Sequence, residues 1–227
     1  MRLSLLSLIP FGIAALAGAC LVAAAEQAAQ QAVEVTVELR TGDTWKPVPS
    51  QTVFHANDDI RFRLRSQIPG YLYVLNHESG GDQSWLYPRP EQQNPNRIEV
   101  NKTYLVPDSK GSFIVGGEPG FDITYWMITP EQMSVAGSAD RPGKSVKPNT
   151  LLPRCRDELL KARGVCEDPQ AGPHTLSDSP DLPPLFAAPG GLVSRDLKFQ
   201  SNRPSVRILT PEPQSGSIIY ALWIAHN

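Results

Sequence analysis

Hydrophobic and polar residues alternate with a period of two over several stretches of this chain. Val33, Val35, Val37 and Leu39 alternate with Glu34, Thr36, Glu38 and Arg40. That spacing predicts a strand over 33–40 with one buried face and one wet face. Ile60, Phe62 and Leu64 alternate with Arg61, Arg63 and Arg65 in the same way. Pro69-Gly70 then makes a turn, and Tyr71 to Leu75, rich in aromatic and branched residues, predicts a second and more deeply buried strand. These two strands form the pair on which the remaining segments are expected to pack.

Further along, Trp45 to Phe54 is interrupted by Pro47 and Pro49, which confines it to a sheet edge. Gly80-Gly81-Asp82 marks a turn before a strand at Ser84–Tyr87, which Pro88 ends. Pro90 to Pro95 is a polar loop. Arg97 to Val106 reads as a strand or hairpin bent at Asn101-Lys102. Phe113–Val115, a glycine-rich turn at 116–120 and Ile123–Thr129 read as strand, turn and strand. Residues 33–130 contain no run of apolar positions at helical spacing.

From about Met133 to Gly191 the strand-like runs stop. Nine of the 22 prolines fall in 131–195, which predicts a long irregular insertion. Its one helical candidate is Asp157–Arg163, acids before bases, with Gly164 as the stop. Leu192–Phe199 resumes the sheet, Val206–Leu209 is a strand, and Ile218–Ala225, apolar on both sides, is a central strand completing the core. The expected fold is all-β: an antiparallel β-sandwich, immunoglobulin-like or related, in a single domain over 26–227.

The first residues change the picture of where the domain works. Arg2 precedes an apolar run from Leu3 to Val22, and Ala23-Ala24-Ala25 offers small residues for cleavage. This is the layout of a signal peptide over 1–25, in preference to a retained anchor. Leu16-Ala17-Gly18-Ala19-Cys20 resembles a bacterial lipoprotein box, with Cys20 as the candidate lipidation site, although Ala17 stands where a larger aliphatic residue is usual. Either processing predicts an exported protein, periplasmic or extracellular, tied to a membrane only by the signal segment or by a lipid anchor at Cys20.

With the signal removed, Cys155 and Cys166 are the cysteines that remain, and an oxidising compartment predicts a disulfide between them. An unbroken helix between them would hold the Cα atoms roughly 16 Å apart at about 1.5 Å per residue. A disulfide needs about 4.4–6.8 Å. The chain must therefore turn back, and Gly164 is where it does so.

The formal net charge of −2 leaves no basic excess for phosphates, so nucleic acid is not an expected partner. Hydrophobic residues, at 41 %, suffice for a globular core.

Asn57-Asp58-Asp59-Ile60-Arg61-Phe62-Arg63-Leu64-Arg65-Ser66 and Pro69-Gly70-Tyr71-Leu72-Tyr73-Val74-Leu75-Asn76 resemble a family of exported bacterial domains, domain of unknown function 4384. The likeness extends through Leu86-Tyr87-Pro88, Asn96-Arg97-Ile98, Val106-Pro107 and Glu118-Pro119-Gly120, about residues 54–130. The resemblance implies an all-β, sandwich-like domain and assigns no catalytic residue. Asn57-Asp58 stands where the family usually has Gly before the acid. Asn tolerates the same turn conformation.

Candidate chemistry is sparse. His55, His77, His174 and His226 have no metal-pair spacing, and no metal or other cofactor is expected. Asn76 to Asp82 lacks the ligand repeat of a calcium loop. Gly116-Gly117-Glu118-Pro119-Gly120 lacks the Lys of a phosphate loop. No Gly-x-Ser-x-Gly elbow occurs.

Two groups could bind. Tyr71, Tyr73, Trp85, Tyr87, Tyr125 and Trp126 lie on predicted neighbouring strands. They either fill the core or form an aromatic platform for sugar rings. Arg61, Arg63 and Arg65 either meet an acidic partner or envelope polymer, or form a solvated face that discourages edge pairing. The expected function is a non-catalytic exported module binding a protein or cell-envelope partner. The alternatives are a carbohydrate-binding module, for which Trp85 and Trp126 must be exposed, and an envelope hydrolase. The hydrolase requires a Ser or Asp in a cleft with a histidine in reach.

Overall fold

The computed structural model describes residues 30–88, 96–108, 111–133, 151–155, 164–176, 197–211 and 216–227. The signal segment with Cys20, the loop at 90–95 and the helix expected at Asp157–Arg163 lie outside the described residues. Residues 31–227 form one compact unit.

The described strands are numbered β1 to β14 in chain order and make two seven-stranded sheets. The first sheet holds β1 (Gln30–Thr41), β2 (Thr44–Val48), β4 (Asp59–Ser66), β8 (Thr103–Val106), β9 (Phe113–Ile114), β12 (Lys198–Asn202) and β13 (Ser205–Pro211). Its order is β12-β13-β1-β4-β8, with β2 also on β1 and β9 also on β4. The second holds β3 (Val53–Phe54), β5 (Gly70–His77), β6 (Gln83–Tyr87), β7 (Arg97–Ile98), β10 (Gly120–Thr129), β11 (Gly172–His174) and β14 (Ile218–His226). Its order is β11-β14-β10-β5-β6, with β3 also on β14 and β7 also on β5. Almost all pairings are antiparallel; β3 runs parallel to β14. The molecule is a β-sandwich.

The alternating runs settle the core. Val33, Val35 and Val37 of β1 and Ile60, Phe62 and Leu64 of β4 point inward onto Leu72, Val74, Trp126, Tyr220 and Leu222 of the opposite sheet. Phe62 meets Trp126 edge-on at 5.2 Å between ring centroids, and Trp126 stacks on Tyr220. Full burial of a side chain the size of Phe62 contributes about 1.5–3 kcal/mol. β14 is buried along its whole length, between β10 and β11, as its two-sided apolar sequence requires.

Connections expected to be hairpins change sheets instead. β4 and β5 lie in opposite sheets, as do β7 and β8, and β9 and β10. Pro69-Gly70 is therefore a crossover, braced by Ser66, whose hydroxyl donates to the Ile68 carbonyl at 2.7 Å and accepts from the Ile68 amide at 2.9 Å. Gly70 has φ +156°, and a Cβ there would sit 2.5 Å from the Thr129 carbonyl oxygen. Asn57 takes a positive φ of 72°, the left-handed turn that Gly would otherwise supply.

The insertion is less irregular than its prolines suggest. β11 pairs with β14, Thr52 bridges to Glu167, and the Val53 amide donates to the Cys166 carbonyl at 2.9 Å. The Cys155–Cys166 disulfide is formed, with Cα atoms 5.0 Å apart. The outer face of the second sheet is a second apolar cluster built on Tyr73, Trp85, Phe121, Tyr125, Ile219 and Trp223. Met133, Cys166, Ala171 and Leu176 pack against it. Both faces of this sheet are thus dry, which is why β10 and β14 carry apolar residues at odd and even positions alike.

Candidate functional site

Inward-facing positions on three adjacent strands of the second sheet change character at one end. On β5 the inward series runs Leu72, Val74, Asn76 and then Glu78 just beyond the strand. On β10 it runs Ile128, Trp126, Thr124, Asp122, and on β14 Ile218, Tyr220, Leu222, Ile224, His226. The register brings the ends of these series together: Thr124 faces Asn76 and Leu222, and Asp122 faces Ile224. On β6, Ser84 faces Asn76. The apolar filling of the sandwich therefore stops one or two residues before the strands do.

A cavity of about 590 Å3 opens there. Asn76, Glu78, Ser84, Asp122 and Thr124 line its polar side. Ile60, Phe62, Phe113 and Ile114, from the first sheet, line the other. Trp85, Leu86 and Ile224 join them. The volume is that of a small-molecule or side-chain pocket. Ile114 at its wall is 71 % exposed, an unusual position for an isoleucine in a strand.

Hydrogen bonds fix the polar side. The Asp122 Oδ1 atom accepts from the Ser79 amide at 2.8 Å and lies 3.2 Å from His226 Nε2, a buried ring. Ser79 donates its hydroxyl proton to the Glu118 carbonyl at 2.5 Å. Thr124 donates to the Leu222 carbonyl and accepts from the Trp126 indole. Burial pushes the Glu78 carboxyl above its ordinary value, and the negative charges of Asp122 and Asp82 push it further. His226 pulls it the other way. Among the described residues no three His, Cys, Asp or Glu side chains gather as a metal site.

The residues singled out from sequence lie elsewhere or play other parts. Trp126 is fully buried between the sheets, and Tyr87 is buried in the same core, where burial raises its phenol. Trp85 is 8 % exposed, on the outer cluster of the second sheet and against the cavity wall. Tyr73 and Tyr125 are fully buried. Buried rings present no flat platform, so the stacking surface a carbohydrate module needs is not formed by these residues.

The arginine row takes part in the fold. It does lie on the outer face of β4, but that face is not simply solvated. Glu38 of β1, expected on the wet face, is fully buried, and Arg61 binds it at 2.6 Å. Arg63 grips the other carboxylate oxygen. Trp45 of β2 lies over the Arg61 guanidinium at 4.3 Å, and Arg40 pairs with Asp59. Arg65 stands opposite Glu34 in the register and remains exposed. Two of the three cations are thus spent within the fold.

Sequence reasoning weighed Asn76, Glu78 and His226 only as metal ligands and passed over Asp122 and Thr124. The signal for them was present: polar residues at the inward phase of strands whose other inward positions are apolar.

Residues 53–132 match the family model described as a domain of unknown function, DUF4384. The match runs from β3 to the end of β10 and so supplies most of the cavity wall, while Ile224, and the His226 that holds Asp122, come from outside it. No curated protein and no solved structure matches the chain.

Proposed function

We propose that this protein is an exported, non-catalytic binding module of the cell envelope, and that the inter-sheet cavity is where it holds its partner. The observation that carries this reading is the break in the apolar filling. A sandwich that needed only stability would continue Leu72-Val74 and Ile128-Trp126 with further apolar residues, as Ile224 continues Tyr220-Leu222. Instead, the polar Asn76 and Thr124 take the next inward positions, and the carboxylates Glu78 and Asp122 follow them, with a cost in desolvation that binding a partner would repay. Export rests on the Arg2–Ala25 leader and is supported by the disulfide, a bond of oxidising compartments.

A non-catalytic role is supported by Ser79, whose hydroxyl proton goes to a backbone carbonyl and not towards His226. Asp122 of the cavity wall does meet the buried His226, so turnover of envelope esters or glycosides by the purified protein is the result that would replace this reading.

The test blocks the cavity. Ser84 is exposed at its wall, and Ser84→Trp would fill the mouth. Mature protein would be used as bait in envelope extract, beside Ser84→Trp and Arg65→Ser. Proteins lost from the Ser84→Trp capture and retained by Arg65→Ser are the expected partners. Identical captures from all three would remove the cavity from consideration.

A further inference from the structure

Resting on the reading of the cavity as the binding site, we infer that its ligand is an organic cation on an aliphatic stem: a primary ammonium, carried by a lysine side chain or by a free diamine. The cavity is two-sided in chemistry. One side presents Asp122 and Glu78, with the neutral acceptors Asn76 and Ser84 between the strands. The other presents Ile60, Phe62, Phe113 and Ile114. A ligand matching both sides has a positive head with several donors and a stem of methylenes. An anion meets two carboxylates, and a purely apolar group leaves them unpaired in a partly dry site.

Asp122 is placed for this. Its side chain is 19 % exposed. Oδ1 is committed to the Ser79 amide and to His226, while no described residue donates to Oδ2. The oxygen engaged by the fold fixes the carboxylate, and the other is available to an ammonium proton. Thr124 is locked by its own hydrogen bonds and shapes the floor without competing for the head group. Asp82 closes the hairpin after Glu78, its carbonyl accepting the Glu78 amide at 2.8 Å. It adds negative charge at the mouth, which draws a cation in. A charge-assisted bond to a carboxylate in a half-dry pocket is stronger than its counterpart in water.

The lysine arm is the more demanding one. A lysine of a partner polypeptide must enter from outside with its backbone held at the rim. There Ile114, 71 % exposed, offers an apolar contact to the incoming chain. A diamine needs no rim.

The experiment titrates mature protein with N-acetyl-lysine methylamide, 1,5-diaminopentane and N-acetyl-norleucine methylamide. Binding is read by calorimetry and by amide shifts of Asn76, Ser84 and Thr124 in two-dimensional NMR. An ammonium probe should bind and shift those amides, and norleucine should bind at least tenfold more weakly. Asp122→Asn should weaken the ammonium probe at least tenfold, and Glu78→Gln, at a more exposed position, should weaken it less. Thermal melts establish that each variant is folded, and Glu78→Gln carries the test if Asp122→Asn is not. Shifts from the lysine probe alone assign a polypeptide source, and shifts from the diamine alone a free amine. Norleucine binding as tightly as lysine would overturn the ammonium assignment and leave the cavity reading standing. The ammonium assignment also falls, with the cavity reading intact, if no probe shifts the cavity amides while Ser84→Trp still abolishes partner capture. Capture unaffected by Ser84→Trp would overturn both.

Discussion

The carboxylate of Glu38, with no exposed side-chain surface, is held by the guanidinium of Arg61 one strand away at 2.6 Å. Arg63 closes on its other oxygen and the Trp45 ring covers Arg61. Removing one partner of such a pair leaves an uncompensated charge, at about 3–5 kcal/mol. Glu38→Ala should therefore lower stability by that order, measured by urea denaturation. Arg65→Ser, at an exposed position outside the cluster, should change it by less than about 0.5 kcal/mol. Arg63→Asp, by placing a second carboxylate against Glu38, should destabilise far more than Arg65→Asp. Equal midpoints for the two aspartate variants would mean that the clamp does not form in solution.

Phe62→Asp should prevent folding. The ring is 1 % exposed, between Phe113 and Trp126. An aspartate there leaves a charge in the core together with a cavity, by mechanisms that each cost several kcal/mol. Loss of the near-ultraviolet circular dichroism of the buried aromatics is the expected reading.

Glu78 gives a pH signature. Its pKa in the folded protein is raised above 4.5, chiefly by burial and then by Asp122 and Asp82, with His226 opposing. The folded state therefore holds this proton more tightly than the unfolded chain does. The contribution to stability is complete below about pH 4.5 and is lost as pH rises through the folded value. Glu78→Gln removes the loss. The variant should gain stability relative to wild type as pH increases from 4 to 7. A difference in melting temperature that does not change across this range would show that the carboxyl is not strained.

The disulfide can be separated from the sandwich. In the loop-entropy model, a bridge across a separation of 11 residues contributes about 3 kcal/mol. Cys155→Ser with Cys166→Ser should leave the two sheets folded, because the inter-sheet core contains neither residue. Limited proteolysis should cut the double variant between positions 155 and 166 much faster than wild type. The segment after the bridge should resist, being held by the Val53 amide, by the Asp168 amide on the Gln51 carbonyl at 2.8 Å, and by β11.

Gly70→Ala should destabilise by about 1–3 kcal/mol, since the new methyl meets the Thr129 backbone and not a side chain that can move aside. A melting temperature within a degree of wild type would mean that the crossover can shift.

Much of this fold was legible where a local rule and the tertiary environment agreed. Val33–Arg40 and Ile60–Arg65 alternate because one side of each packs on the other sheet. Ile218–Ala225 reads as central because both its sides are dry. Cys155 and Cys166 could be paired as the cysteines left after the signal, with Gly164 as the turn that lets them meet. What failed depends on partners distant in sequence. Nothing in Pro69-Gly70 or Asn101-Lys102 says whether the next strand returns to the same sheet or crosses to the other. Gly172-Pro173-His174 carries no alternation, and it forms a strand because β14 offers an open edge. Glu38 is dry only because arginines 23 and 25 residues later fold over it. The cavity was hidden for a related reason. A lone Asp122 or Glu78 looks like an ordinary surface residue until the register shows which way it points.

β14 sits inside the second sheet although it is the last of the described strands, and Gly120 of β10 pairs with His226 across more than a hundred intervening positions. A ribosome makes the polypeptide from its first residue onward. Until β14 appears, β10 has no neighbour on one side, β11 and β3 lack their partner strand, and the cavity lacks Ile224. The sheet cannot close co-translationally from its start, and its long-range pairings make closure slow. The second sheet therefore stays open at β10 until β14 is in place.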